Sequence, residues 1–183
     1  MAVLLTRPQA DSQRIADKLA DRGIASLIWP LTRVRRLAES TTIAEGTDAL
    51  LFTSANAVRA FAELSGLRDI PAFCVGKRTT QVAQDLGFTK VTNADGDAAA
   101  LLEIAVASPY RQFHYPRGRE TAWELAKDIR AQGKQITEET LYGSDPAGPR
   151  RHRRQSPVVG AVQGRSLSTG GCHTSASFSI PLS

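Results

Sequence analysis

The fold is decided by residues 49–61, which read ALLFTSANAVRAF. Four apolar residues, too few for a helix, run directly into Thr53 and Ser54 and then into an alanine-rich segment with helical spacing. This order is typical of a buried parallel strand, a tight turn and the first turn of a helix. Thr53, Ser54 or Asn56 is predicted to cap that helix, because a short side-chain oxygen accepts an otherwise unpaired backbone N–H.

The predicted helix start is also a candidate anion site. Its remaining N–H groups and the helix dipole favour a carboxylate or a phosphate. Ligands of open α/β sheets bind where such strand ends meet helix starts. A well-capped crossover with no ligand fits residues 49–61 equally well.

A chain of 183 residues can bury a core as one ordinary domain or two small ones. The charge of this chain is unevenly distributed. Its net charge is +5, yet residues 1–145 hold 18 basic and all 18 acidic residues, and the other five arginines lie in residues 146–183. The body is electrically balanced, so its totals give no argument for a nucleic-acid-binding face.

The sequence shows no pattern typical of a membrane span, a signal peptide, a disulfide or a metal site. No apolar run approaches the ~20 residues that cross a bilayer, and the first residues lack the basic region of a signal peptide. Cys74 and Cys172 show neither metal nor disulfide spacing, and Cys74 lies in an apolar run typical of a buried thiol. We therefore expect a cytoplasmic protein without a metal site or a membrane partner.

The body alternates strand and helix patterns, which indicates parallel sheets covered on both faces. Three strand ends have similar turn chemistry, at residues 53–54, 75–76 and 117–118, and together they predict a ligand crevice. No helix or strand is predicted for the basic run 33–36, and the polar segment 37–46 is predicted to be a linker or an irregular crossing segment. Strands are predicted at residues 2–5, 24–29, 50–53, 72–76, 90–92, 113–118 and 135–142, with helices between them from residues 11, 54, 77, 97 and 121.

The pattern ends near residue 146. Residues 146–183 are rich in Arg, Ser, Gly, Pro and His and show neither strand nor helix periodicity. One interpretation is a disordered basic arm that contacts RNA or a membrane surface. Binding of single-stranded nucleic acid usually also needs aromatic side chains that stack on the bases, and none is interleaved with these arginines. The other, which we favour, is translation out of frame, because a sudden loss of all acidic residues is unusual for a native α/β chain.

Six short motifs, in order and spacing, resemble the uroporphyrinogen-III synthase family. They are residues 5–8 (LTRP), 52–58 (FTSANAV), 75–80 (VGKRTT), 86–88 (LGF), 115–118 (YPRG) and 141–142 (LY). The resemblance implies a two-domain α/β architecture with parallel sheets and two crossing segments. Residues 37–145 would be the continuous domain and residues 1–36 the first strand–helix–strand of a discontinuous one. Residues 146–183 do not show that domain's C-terminal portion, so we expect it to be incomplete.

The resemblance also implies a reaction of porphyrin biosynthesis. Hydroxymethylbilane, a linear tetrapyrrole polycarboxylate, is cyclised to uroporphyrinogen III with inversion of ring D, and no cofactor is implied. Catalysis would rest chiefly on positioning. The family's motifs place a catalytic hydroxyl donor at Tyr142. They place substrate contacts at Thr6, Arg7, Thr53, Ser54, Asn56, Ala57, Gly76, Thr79, Arg117 and Gly118.

Simpler roles remain open for several of these residues. The Tyr142 hydroxyl can simply meet water, and N-capping explains Thr79 as well as binding does. Exposed arginines such as Arg7 and Arg117 are commonly only solvated. His114 is predicted to be structural, with no acidic residue placed by the sequence to orient it.

With half of its cleft missing, the chain is expected to show little or no inversion activity. The alternatives are an inactive relic that at most binds a polycarboxylate and, last, a basic-tailed nucleic-acid-binding protein. We expect a monomer if the chain folds, with self-association possible through the incomplete domain.

Overall fold

The computed structural model describes residues 2–147, so the predictions for the rest of the tail lie outside the described residues. The elements follow the predicted order, apart from one extra strand and a helix that begins at Leu125 instead of residue 121. In chain order they are β1 (Ala2–Leu5), α1 (Gln9–Ala20), β2 (Ala25–Ile28), β3 (Thr32–Arg36), β4 (Ala49–Phe52), α2 (Ala55–Leu64), β5 (Ala72–Cys74), α3 (Lys77–Asp85), β6 (Val91–Asn93), α4 (Ala98–Ala107), β7 (Gln112–Gly118), α5 (Leu125–Ala131) and β8 (Gln135–Pro146).

The strands form two sheets. β1 and β2 pair in parallel as a two-stranded sheet, and the others form a six-stranded sheet of order β3-β8-β7-β4-β5-β6. Each pair in the larger sheet is parallel except β3 with β8, which is antiparallel. The predicted α/β fold with mostly parallel sheets is confirmed.

The unpredicted strand is β3, which forms one edge of the larger sheet. Residues 33–36 of this strand are all exposed, so no alternation of apolar and polar residues marks it in the sequence. Basic side chains are common on such edges because they discourage pairing with other chains. Its partner β8 extends past the predicted end to Pro146, and the Arg35 Nε lies 2.6 Å from a carboxylate oxygen of Asp145. The domain boundary at residue 36 stays a prediction.

The core lies on both faces of β4. Residues 49–52 are fully buried, as expected of a central parallel strand. On one face Leu51 belongs to a cluster with Leu101 of α4. On the other, Phe52 packs with Phe61 of α2, their ring centroids 5.8 Å apart in an edge-to-face arrangement.

The two-stranded sheet is less well covered than the larger one. Helix α1 packs on it and buries Ala16, and Gly23, with a φ of +70°, follows the end of the helix as predicted. Leu4 and Leu27 are nevertheless 57% and 40% exposed. Two paired strands are marginally stable in water on their own, so we expect this sheet to be the weaker part of the fold.

The helices of residues 2–147 include none that is long and apolar enough to cross a bilayer.

Candidate functional site

The three predicted strand ends meet at one cavity. The carboxyl ends of parallel strands lie at the same edge of a sheet, where ligands of such folds bind. Here they surround a cavity of about 340 Å³, which we call the strand-end cavity. Its lining includes Thr53, Ser54, Val75, Gly118, Glu120 and Tyr142.

Tyr142 is held by close packing against Gly118. The two residues lie opposite each other on β8 and β7, next to an irregularity between Arg117 and Gly118. A Cβ added to Gly118 would lie 2.9 Å from the Tyr142 Cζ and 3.1 Å from its hydroxyl oxygen. These distances are shorter than carbon contacts at their optimum. Because Gly118 has no side chain, the Tyr142 ring can occupy this position.

The environment of Tyr142 keeps its hydroxyl protonated. Burial raises the pKa of Tyr142 above its ordinary value, the side chain of Ser54 partly offsets this by a hydrogen bond, and the charge of Glu120 raises the pKa further. A phenol with a raised pKa holds its proton at neutral pH. Tyr142 can therefore donate a proton or a hydrogen bond into the cavity.

Ser54 caps α2, as predicted for one of three residues. Its backbone is extended, and its Oγ accepts a hydrogen bond from the Asn56 N–H at 3.1 Å. The Ala57 N–H donates to the Ser54 carbonyl at 3.0 Å. These backbone N–H groups of the first turn of α2 already have acceptors within the protein. They are therefore less available to an anion than the sequence suggests.

The start of α3 is more open than that of α2. Its N-cap, Gly76, offers no side-chain acceptor, and among residues 2–147 no acceptor is found for the N–H groups of residues 77–79. A cavity of about 220 Å³ adjoins this helix start, and we call it the helix-start cavity. It is lined by Arg7, Asp11, Ser54, Asn56, Arg78 and Thr79, so it brings together four of the predicted site residues.

A buried carboxylate lies in the helix-start cavity. Asp11 of α1 is 7% exposed; it accepts a hydrogen bond from the Arg78 guanidinium, and the Arg7 Nη2 lies 3.7 Å from its other oxygen. Burial tends to raise the pKa of Asp11, but the hydrogen bond from Arg78 and the charges of Arg78, Arg7 and Arg59 lower it overall. Asp11 is therefore an anion surrounded by cations.

A third cavity lies between the larger sheet and residues 2–28, which comprise β1, α1 and β2 and which we call the first unit. It measures about 430 Å³, and we call it the inter-unit cavity. Tyr142 and Asn56 line it together with the basic residues Arg33, Arg36 and Arg59. Tyr142 thus contacts both this cavity and the strand-end cavity, which makes it the residue at which the two spaces adjoin.

Other predicted site residues lie outside these linings. Thr6 is exposed, and its carbonyl accepts a hydrogen bond from the Leu31 N–H at 3.0 Å. Ala57 is fully buried in the core. Arg117 lies 3.2 Å from Glu138 and donates to Thr121 at 3.2 Å, so its charge is already compensated within the protein.

His114 has a structural environment. It is 1% exposed, with its Nδ1 3.0 Å from the Thr137 hydroxyl and its Nε2 3.3 Å from a carboxylate oxygen of Glu139. The sequence places no acidic residue beside His114, whereas the structure brings Glu139 of the neighbouring strand β8 next to it. Thr41 donates to the same carboxylate, so this group anchors the crossing segment 37–46 to the sheet.

Sequence reasoning missed several residues of the site. Arg33 and Arg36 were unassigned because β3 was not predicted. The sequence predicts Asp11 only as the start of a helix, and nothing in its spacing connects it with Arg78, which is 67 positions away. Tyr115 accompanies Thr53, with their hydroxyl oxygens 3.0 Å apart; its position inside the YPRG motif is the one signal that marked it.

Comparison with protein families and with solved structures indicates the same family. A family model described as uroporphyrinogen-III synthase HemD matches residues 13–162, whereas no curated protein matches. Among solved structures, uroporphyrinogen-III synthetase from Helicobacter pylori is 23% identical, with a TM-score of 0.58, over 82% of this chain and 65% of that one. A mutant uroporphyrinogen III synthase from Thermus thermophilus is 15% identical, with a TM-score of 0.56, over 80% of this chain and 63% of that one. The chain spans less than two thirds of the length of these structures.

Proposed function

The chain belongs to the uroporphyrinogen-III synthase family, and from this membership we propose that its strand-end and helix-start cavities form one wall of a cleft for hydroxymethylbilane. In a complete cleft the reaction would be cyclisation of this linear tetrapyrrole to uroporphyrinogen III. The observation that carries the proposal is the position of Tyr142, whose protonated phenol lies against Gly118, beside Ser54 and between two cavities.

Tyr142 would assist departure of the terminal hydroxyl. Its phenol donates a hydrogen bond or a proton as the carbon–oxygen bond breaks, so that the oxygen leaves as water. A pyrrole N–H loses a proton in the same overall step, which leaves a neutral azafulvene electrophile and restores the phenol. Because the free bilane closes without inversion, the decisive contribution of the protein would be to fix the orientation of ring D.

Carboxylates of the bilane would bind at the helix-start cavity. The N–H groups of residues 77–79 and the guanidinium of Arg7 are donors suited to a carboxylate. Ser54, Asn56 and Thr79 add polar side chains to the same space. Gly118 would admit the substrate next to Tyr142, whereas Thr53, Gly76 and Arg117 would act mainly by holding the strand ends and helix starts in place.

Binding to uroporphyrin III tests the proposal directly. This oxidised macrocycle carries the same set of carboxylate side chains as the product and absorbs visible light, so its affinity can be measured by titration. Hydrogen–deuterium exchange should show protection of the amides of residues 77–79 and 118–119 on binding. Protection confined to other surfaces, or no binding, would refute the placement of the site.

A second candidate function is binding without catalysis. It is favoured by the two-stranded sheet of residues 2–28, which supplies little of an opposite wall. In that case uroporphyrin III binds to the same residues, but the chain does not direct ring closure. Because residues 2–147 supply one wall, we expect binding with little or no inversion from this chain, and the isomer composition of the product separates the two functions.

A further inference from the structure

Asp11 occupies a position that a ligand carboxylate would prefer. Its carboxylate is nine-tenths buried, with 10% of the side chain exposed, and it lies in the helix-start cavity beside the free start of α3. Buried charges are rarely retained without a strong partner. Here the partners are Arg78 and Arg7.

The charges around Asp11 do not balance. Its carboxylate faces the guanidinium groups of Arg7, Arg59 and Arg78, which all act on its charge. Arg59 donates to the uncharged amide of Asn56 at 3.1 Å, and no acidic residue besides Asp11 is among the described residues that line the helix-start cavity. The excess positive charge suits one more carboxylate, or a replacement for the one already present.

The same contact joins the two units of the fold. Asp11 lies on α1, which packs on the two-stranded sheet, whereas Arg78 lies on α3 of the larger sheet. Among the ion pairs of residues 2–147, Asp11 with Arg78 is the one that links these units. Displacing Asp11 from Arg78 therefore loosens the contact between the two units.

We propose that Asp11 is an internal competitor that occupies the carboxylate position at Arg78 and Arg7 until a carboxylate of the ligand displaces it. The inference deepens the proposed function and rests on it for the nature of the ligand. Asp11 is then a positioning residue: it keeps the first unit against α3 in the free protein and releases it when a tetrapyrrole binds. A purely structural ion pair would also join the units but would not oppose binding.

Two substitutions distinguish these roles, because both break the ion pair but only one removes the competing anion. Asp11→Asn leaves the guanidinium groups without their internal carboxylate. We expect it to tighten binding of uroporphyrin III about tenfold, which corresponds to ~1.4 kcal/mol. Arg78→Gln removes the cation and should weaken binding by about the same factor. Both should speed amide exchange in α1.

Matched controls carry the same changes of charge nearby. Asp17→Asn and Arg14→Gln change exposed residues of α1 that line none of the three cavities. Neither should change the affinity more than about twofold, because exposed charges contribute little. The titrations use the full 183-residue chain and uroporphyrin III.

The outcomes separate the inference from the proposed function. Opposite effects of Asp11→Asn and Arg78→Gln on affinity, with faster exchange in both, support the competitor role. If the unsubstituted chain binds uroporphyrin III and Asp11→Asn binds equally or more weakly, the competitor role is wrong while the proposed function stands. If neither the unsubstituted chain nor Asp11→Asn binds, both fail.

Discussion

Replacing Gly118 with alanine should displace Tyr142 from its place. The new Cβ would lie 2.9 Å from the ring carbon Cζ. Since carbon atoms at optimal separation are about 3.5–4.0 Å apart, the ring must move by about 0.6–1 Å. The backbone of Gly118 does not have a positive φ, so the substitution acts through this contact and not through backbone strain.

The displacement should change stability and ionisation together. Overpacking of this kind costs about 1–3 kcal/mol of unfolding free energy. A ring that moves away from its buried position is better hydrated, so the pKa of Tyr142 should fall towards its ordinary value. In a complete cleft, misplacement of a catalytic group by about 1 Å can reduce the rate about a hundredfold.

The assay is a pH titration of ¹³C-labelled tyrosine followed by NMR. The chain has three tyrosines, and Tyr142→Phe assigns the relevant resonance. Gly66→Ala is the matched control, because a Cβ at that position meets no atom within 4 Å. An unchanged Tyr142 titration and an unchanged unfolding free energy in Gly118→Ala would refute the packing argument.

Three further predictions follow from the described contacts. Ser54→Ala should reduce the unfolding free energy by about 1 kcal/mol, since it removes the cap of α2; urea denaturation measures this, and a loss no larger than that of Ser40→Ala, at an exposed position, would contradict it. Burial lowers the pKa of His114 despite the opposing charge of Glu139, so the unfolded chain binds the extra proton and stability should fall as the pH drops below about 6.5. That loss should be smaller in His114→Gln, and equal slopes in the two proteins would show that another group is responsible. Burial raises the pKa of Cys74 to about 12, so a thiol reagent at neutral pH should modify its peptide only after unfolding, and rapid modification of the native protein, followed by mass spectrometry, would be inconsistent with this environment.

The sequence predicted the elements with strong periodicity and the place where they converge. The buried run of residues 49–52 and its capped turn identified a central parallel strand. Parallel pairing then brings Ser54 and Gly118 to one edge of the sheet, next to Tyr142, because the ends of such strands are adjacent.

What the sequence could not predict depends on contacts between distant segments. Strand β3 is exposed and basic, so its pairing with β8 leaves no apolar pattern. The ion pair of Asp11 with Arg78 joins two units whose relative position no local rule specifies. The steric conflict that makes Gly118 necessary likewise depends on the conformation of the Tyr142 side chain across the sheet.

The most direct test of the account is the isomer composition formed from hydroxymethylbilane. The full chain is incubated with the bilane, the products are oxidised, and uroporphyrins I and III are separated. With one wall of the cleft in residues 2–147, we expect an isomer ratio equal to that of the enzyme-free control, although uroporphyrin III still binds at the strand-end and helix-start cavities. A clear excess of isomer III that falls in Tyr142→Phe would contradict it, because inversion would then show that this chain forms a complete cleft.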